Sequence, residues 1–161
     1  MARFDNEVRI TPSVLDRLID FEPEVTNEPP SSRSKSLRLL KQSLRRDLEW
    51  LLNTRHTDAS IPSDLVEVNR SVAVYGLRDF TTVTVKNVAE QNTLRKELET
   101  ALARFEPRLQ GAVVTIEPLS LLERVLRFKI DAQLDVDPAP EPIVFDTVLQ
   151  LGKGEFQLKG E

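Results

Sequence analysis

The chain has no cysteine and a single histidine, His56. Without cysteine there is no disulfide frame, no thiol nucleophile and no cysteine zinc site. One histidine beside Asp58, with no second histidine and no dense acid cluster joining them, does not make a metal centre. At the frayed end of a helix, His56 reads as a partner for the helix dipole or as a surface residue. Long hydrophobic runs are also missing. The apolar runs are a few residues each, such as Ala112-Val113-Val114, and fall far short of the roughly 20 residues that span a bilayer. The opening Met1-Ala2-Arg3-Phe4-Asp5-Asn6-Glu7 lacks the apolar core of a signal peptide. The expected setting is therefore cytoplasmic, with no direct membrane insertion. No nucleophile elbow surrounds any serine. Gly152-Lys153-Gly154 is too short for a phosphate loop and has no helix behind it. No cofactor is implied.

What is present is ordinary soluble-protein material: 161 residues, 40% hydrophobic and 30% charged, enough for one domain with a genuine core plus arms. The net charge of −4 argues against nucleic acid as a general partner, but it is unevenly spread. Residues 1–32 carry three basic and seven acidic side chains, whereas residues 33–55 carry seven basic and two acidic. One basic helix lies between acidic flanks, which favours an acidic partner or acidic arms over DNA.

The periodicity divides the chain. Thr11-Pro12 predicts a helix start, with Thr11 as N-cap and Pro12 at the first helical position. Val14, Leu15, Leu18 and Ile19 then form a short apolar stripe. The Pro/Ser-rich stretch to Ser32 reads as a semi-stiff linker. A short amphipathic helix on a tether either docks on a partner or folds back on its own core. Ser36 is expected to cap a long helix running to about Arg55, with Leu37, Leu40, Leu44, Leu48 and Leu51 on one face, widened by Leu39, Trp50 and Leu52. Arg38, Lys41 and Arg45 line the opposite side. Ile61-Pro62-Ser63-Asp64 is a turn, and the pattern from Ser71 to Val85 settles no conformation; Phe80–Val85 is either a short strand or a packed loop. Asn87 and Glu90 form a variant capping box ahead of a helix carrying Leu94, Leu98, Leu102 and Phe105. Beyond Gly111 the period becomes two. Ala112–Ile116 is a strand. Leu126, Phe128, Ile130, Ala132, Leu134 and Val136 alternate with polar residues as the second. Ile143–Leu151 is the third, and Glu155–Lys159 a short fourth on the sheet edge.

The expected fold class is α+β: two main amphipathic helices packed on one face of an antiparallel sheet of about four strands, with a tethered short N-terminal helix. Residues 1–35 make the arm and linker, and residues 36–161 the body. A free edge strand is a hazard unless it accepts another chain's strand. Glycoside cleavage needs two carboxyl groups held across a cleft, and the sequence places no two of Glu106, Glu117 and Asp131 in that way. Asp131, Asp135 and Asp137 share the wet face of one strand. No residue is singled out as catalytic.

At the joint between helix and sheet stands Phe105-Glu106-Pro107-Arg108-Leu109. Pro107 disfavours the helical region for Glu106, so the helix should stop there. A helix C-terminus repels a carboxylate, so helix stability does not account for Glu106. In an extended chain, Glu106 and Arg108 would project to the same side.

Three segments together carry a family resemblance: Pro12-Ser13-Val14-Leu15-Asp16-Arg17-Leu18, the run from Leu44 to Arg55 (Leu-Arg-Arg-Asp-Leu-Glu-Trp-Leu-Leu-Asn-Thr-Arg), and Glu106-Pro107-Arg108. Ser71-Val72 with Tyr75-Gly76-Leu77 and Asp79 adds a fourth, in which Val74 and Arg78 depart from the family's Asn and Pro. In this order the set resembles the phage contractile-tail baseplate wedge proteins often labelled "lysozyme-like", and within them the TssE subunits of type VI secretion. The resemblance implies a structural, non-enzymatic baseplate component assembled near the inner membrane. It implies the wedge proteins TssF and TssG and the sheath proteins TssB and TssC as partners, with sheath assembly nucleated by strand exchange. It makes Glu106, Pro107 and Arg108 a wedge contact, and Leu15, Arg17 and Leu18 the docking face of the N-terminal helix. The readings it competes with are a peptidoglycan-cleaving enzyme and a soluble regulatory adaptor of the same fold.

Overall fold

The computed structural model describes residues 10–19, 24, 32–56, 61–62, 64–80, 87–117, 125–150 and 153–159. The element order is α1 (Val14–Leu18), α2 (Arg33–Asn53), α3 (Val66–Arg70), a single 3-10 turn (Val72–Val74), α4 (Val88–Phe105), then β1 (Leu109–Ile116), β2 (Val125–Leu134), β3 (Glu141–Gln150) and β4 (Glu155–Lys159). The strands form one antiparallel meander in the order β1-β2-β3-β4. The fold is α+β, as expected.

The sheet is built around the strict alternation of β2. Leu126, Phe128, Ile130, Ala132 and Leu134 of β2 are all buried. Register places them in layers with their neighbours: Val114, Ile130 and Phe145 form one, and Leu126, Leu149 and Phe156 another. A one-residue slip would turn every one of these side chains to water, so the pattern sets the register. Gly111 supplies φ +60 at an irregularity between Gln110 and Val113. Beneath this face lie Leu40, Leu44, Leu48, Leu51 and Leu52 of α2 and Leu94, Leu98, Ala101 and Leu102 of α4. Helix α2 flanks β4 and α4 flanks β1.

Several local expectations shift. The cap of α1 is Ser13, not Thr11, because its hydroxyl accepts from the Asp16 N–H and donates to Asp16 Oδ2 at 2.6 Å. Helix α2 is capped by Ser32 rather than Ser36 and begins at Arg33. Ser36 instead donates to the Ser32 carbonyl. Leu52 joins the α2 core face, but Leu39 and Trp50 stay exposed. Asn87 caps α4 as expected, accepting from Ala89 N–H and donating to Glu90. β1 starts three residues before Ala112, at Leu109. The turn after Ile61 closes with Leu65 N–H on the Pro62 carbonyl, and helical turns fill residues 66–74. Most of the stretch left between strand and loop, Thr81–Val85, and most of the Pro/Ser linker lie outside the described residues, as does Asp58.

The segment after the 3-10 turn docks on the end of α2. Leu77 N–H donates to the Thr54 carbonyl and His56 N–H to the Leu77 carbonyl, a short parallel bridge. Gly76 makes the approach with φ +105, and a Cβ there would sit 2.4 Å from the Thr54 carbonyl oxygen. Tyr75 meets Phe105 edge-on, with ring centroids 5.2 Å apart.

Candidate partner-binding site

The joint is a tight turn, not an extended run. Glu106 ends α4, its N–H on the Leu102 carbonyl, and its own carbonyl accepts from Leu109 N–H at 3.1 Å. Pro107 therefore takes the second position of a β-turn, for which its fixed φ is suited. The turn, rather than strand alternation, brings Glu106 and Arg108 together. Arg108 Nε reaches Glu106 Oε1 at 2.6 Å and Nη2 reaches Oε2 at 2.7 Å, a bidentate clasp. Glu106 is buried, at 4% exposure; the Arg108 side chain keeps about a quarter of its surface, 27%. The Arg108 carbonyl accepts from Asp135 N–H, which ties the turn to the end of β2.

A third residue completes the site. Arg108 Nη2 also donates to Asp47 Oδ2 at 2.7 Å. Asp47 lies on α2, sixty-one residues away in sequence, so the clasp ties the two main helices and the sheet together at one point. Asp47 Oδ1 accepts from Arg46 at 2.8 and 3.0 Å, and Arg46 Nη2 goes on to Asp16 Oδ1 of α1 at 2.9 Å. The Arg46 guanidinium lies 5.0 Å from the centroid of Trp50. A line of charge-assisted bonds thus runs Glu106–Arg108–Asp47–Arg46–Asp16. The Glu106 hydrogen bonds, reinforced by Asp47, hold the Arg108 guanidinium well above the ordinary arginine range, against the opposing effect of burial. Burial pushes the Tyr75 phenol up, and the Asp47 and Glu106 carboxylates push it further.

Glu106, Pro107 and Arg108 are thus one constellation. Leu15, Arg17 and Leu18 are not in it: they lie on α1, which has no buried residue, with Leu18 at 76% and Val14 at 74% exposure. The contact of α1 with the body runs through Asp16 instead, while Ile10 just ahead of it packs partly buried against the core. Asp16, Arg46 and Asp47 went unread in the sequence as members of a site. The available signal was Ser13 with Asp16 three residues on, a capping pair that orients the carboxylate. Among the described residues, no group of three His, Asp or Glu is close enough to hold a metal ion, and no helix is long and apolar enough to cross a membrane.

The two sheet edges differ. Along β4, Phe156 N–H donates to Asn53 Oδ1 at 2.8 Å, Asn53 Nδ2 donates to the Phe156 carbonyl at 2.9 Å, and Arg45 Nη2 donates to the Leu158 carbonyl at 2.6 Å. Arg55 donates to the Gly154 carbonyl. Arg45 and Asn53, eight residues apart on α2, thus stitch the outward backbone of β4 to the helix. On β1, Val114 N–H donates to Glu99 Oε1 at 3.1 Å. An open groove of about 1040 Å³ runs beside the start of β1, lined by Arg70, Lys96, Glu99, Arg104, Leu109 and Ala112, among others.

No curated protein sequence matches the chain. The family described as baseplate wedge protein gp25 matches residues 38–139, a span from the first turns of α2 to beyond β2 that contains Arg46, Asp47, Glu106 and Arg108. That match covers well over half of the sequence, and the chain belongs to the baseplate wedge protein gp25 family.

Proposed function

We propose that this protein is the TssE-like structural component of a type VI secretion baseplate, joining the wedge subunits TssF and TssG and starting the TssB–TssC sheath by strand pairing. It works in the cytoplasm beside the inner membrane and has no catalytic role. The observation that carries this reading is the Glu106–Arg108–Asp47 clasp, in a chain whose family is one of baseplate wedge proteins. Glu106 is consumed internally, so its task is to aim Arg108; the exposed side of the guanidinium meets a carboxylate of the wedge core. Bidentate recognition of this kind is geometrically specific. The arm, residues 1–35, presents Leu15, Arg17 and Leu18 to a groove on a wedge subunit, in the manner of a helix laid in an apolar channel.

Strand pairing takes place at β1. The outward groups of β4 are already bonded by Arg45, Asn53 and Arg55, and an incoming strand would have to break several of those bonds. At β1, displacing Glu99 frees Val114, and the neighbouring Arg70, Lys96 and Arg104 suit a strand flanked by acidic residues.

The test is Arg108→Lys and Glu106→Ala in cells whose only copy of this protein is the variant. Both variants are expected to remain folded, with lowered melting temperature, while fluorescent sheath no longer assembles. Normal sheath assembly in both variants would remove the clasp from the wedge contact.

A further inference from the structure

Helix α1 is held to the body in a way that hydrophobic burial does not explain. It buries no residue, and its apolar stripe of Val14, Leu15 and Leu18 faces solvent. What is enclosed is its acid: the Asp16 side chain is only 14% exposed, caught between the Ser13 hydroxyl and the Arg46 guanidinium. An apolar stripe left outward and a carboxylate turned inward is the reverse of how an amphipathic helix packs to gain stability.

The charges sharpen the point. The bonded line Glu106–Arg108–Asp47–Arg46–Asp16 holds three carboxylates and two guanidiniums. If Asp16 leaves, two of each remain. Arg46 keeps Asp47 and the Trp50 ring, and Asp16 keeps its Ser13 cap. Neither end of the contact is stranded by opening it, so the large cost of an unpaired buried charge does not apply. A pair that keeps 25% of the Arg46 side chain and 14% of the Asp16 side chain in water is also weakened by salt and open to competition from another acid.

We infer that the Asp16–Arg46 contact is a releasable latch on α1, and that Asp47 couples the latch to Arg108. Closed, Arg46 divides its donors between Asp16 and Asp47. Open, Arg46 turns wholly to Asp47, whose hold on Arg108 weakens, and the guanidinium edge becomes more available to an outside carboxylate. Release of the arm and readiness of the Arg108 surface are then one event. The inference rests on the proposed function only in assigning α1 and Arg108 to wedge partners; the latch itself belongs to the isolated protein.

The absence of native cysteine permits spin labels at Leu18→Cys and at the exposed Val144→Cys of β3, in the full chain. In the otherwise unaltered protein a confined distance distribution is expected. Asp16→Asn and Arg46→Gln are each expected to raise the released fraction roughly fivefold, the double variant no further, with the melting temperature unchanged. Ile10→Ala, which leaves the latch intact, is expected to keep the confined distribution. An unchanged distribution in both Asp16→Asn and Arg46→Gln, or a broad one before substitution, overturns the latch. Side-chain Nε NMR of Arg108 reads the coupling: its signal should move in Asp16→Asn and stay in Ile10→Ala, and a signal unmoved by Asp16→Asn overturns it. Both measurements use the protein alone, so a working latch with no wedge capture would count only against the proposed function.

Discussion

At the scale of single residues, Glu106 and Arg108 are unequal partners. Removing Arg108 leaves a carboxylate with 4% exposure facing Asp47 with no cation between them. Removing Glu106 leaves Arg108 with Asp47 and with water. Arg108→Ala should therefore cost about 3 kcal/mol and Glu106→Ala about half of that, since stranding a buried charge is the more expensive loss. Denaturant melts with matched slopes would show the order, and equal losses would mean that Glu106 is solvated once Arg108 is gone. Asp16 makes a pH prediction. Although burial pushes it up, the hydrogen bonds from Ser13 and Arg46, the Arg46 charge and Ser43 together hold its carboxyl below the usual value. A depressed value in the attached state means that attachment is complete above the free aspartate value of about 4 and is lost as pH falls through the lower one. The α1 distance distribution should thus be constant from neutral pH down to about 5 and broaden below the usual carboxylate range. The sequence marked Glu106 because a carboxylate at a helix C-terminus lacks a local reason, and the family resemblance added Arg108 as its partner in a contact. It could not mark Asp47, whose role depends on α2 lying beside the turn, a fact of tertiary packing.

At the scale of elements, the strands were legible because period two combined with burial leaves little choice, and the two long helices because their leucines recur at three and four residues. Their ends were less so. Ser13, Ser32, Thr11 and Ser36 are all chemically fit to cap, and the choice fell to the hydroxyl that found a free N–H. Residues 66–74 show no periodicity because their helical turns are five and three residues long, too short to display one. Leu39 and Trp50 were placed on the core face by spacing alone, yet α2 turns them to solvent, with Trp50 at 52% exposure against Arg46. The edge strand β4 was foreseen, but not that α2 closes it. Asn53→Ala should cost about 2 kcal/mol, since it leaves two backbone groups of Phe156 without their partner, and should speed amide exchange at Phe156 while sparing β1. Gly76→Ala should cost about 2 kcal/mol or more, from positive φ and the collision with the Thr54 carbonyl. Thr147, buried between Phe128 and Leu158 in register, has a hydroxyl without a hydrogen-bond partner. Thr147→Val should therefore raise stability by about 1 kcal/mol.

At the scale of the whole molecule, the protein is a junction. One face of the sheet carries both long helices, and the point where α2, α4 and β1 meet is fastened by three charged side chains. Glu106, buried at 4% exposure with both oxygens gripped by a guanidinium, faces no open cleft and is poorly placed to act as the proton donor that glycoside cleavage demands. Purified protein should not turn over peptidoglycan, and measured lysis abolished by a carboxylate substitution would return the enzyme reading to the front. The central claim, that Arg108 aimed by Glu106 and Asp47 is the contact with the wedge, is tested most directly by affinity purification of the full chain from cells carrying the complete machine. TssF and TssG would be identified by mass spectrometry, with the unaltered protein and Arg108→Lys compared at equal expression. The account predicts that both subunits accompany the unaltered protein and are depleted at least tenfold, about 1.4 kcal/mol, from Arg108→Lys. Equal recovery with the two proteins would contradict it.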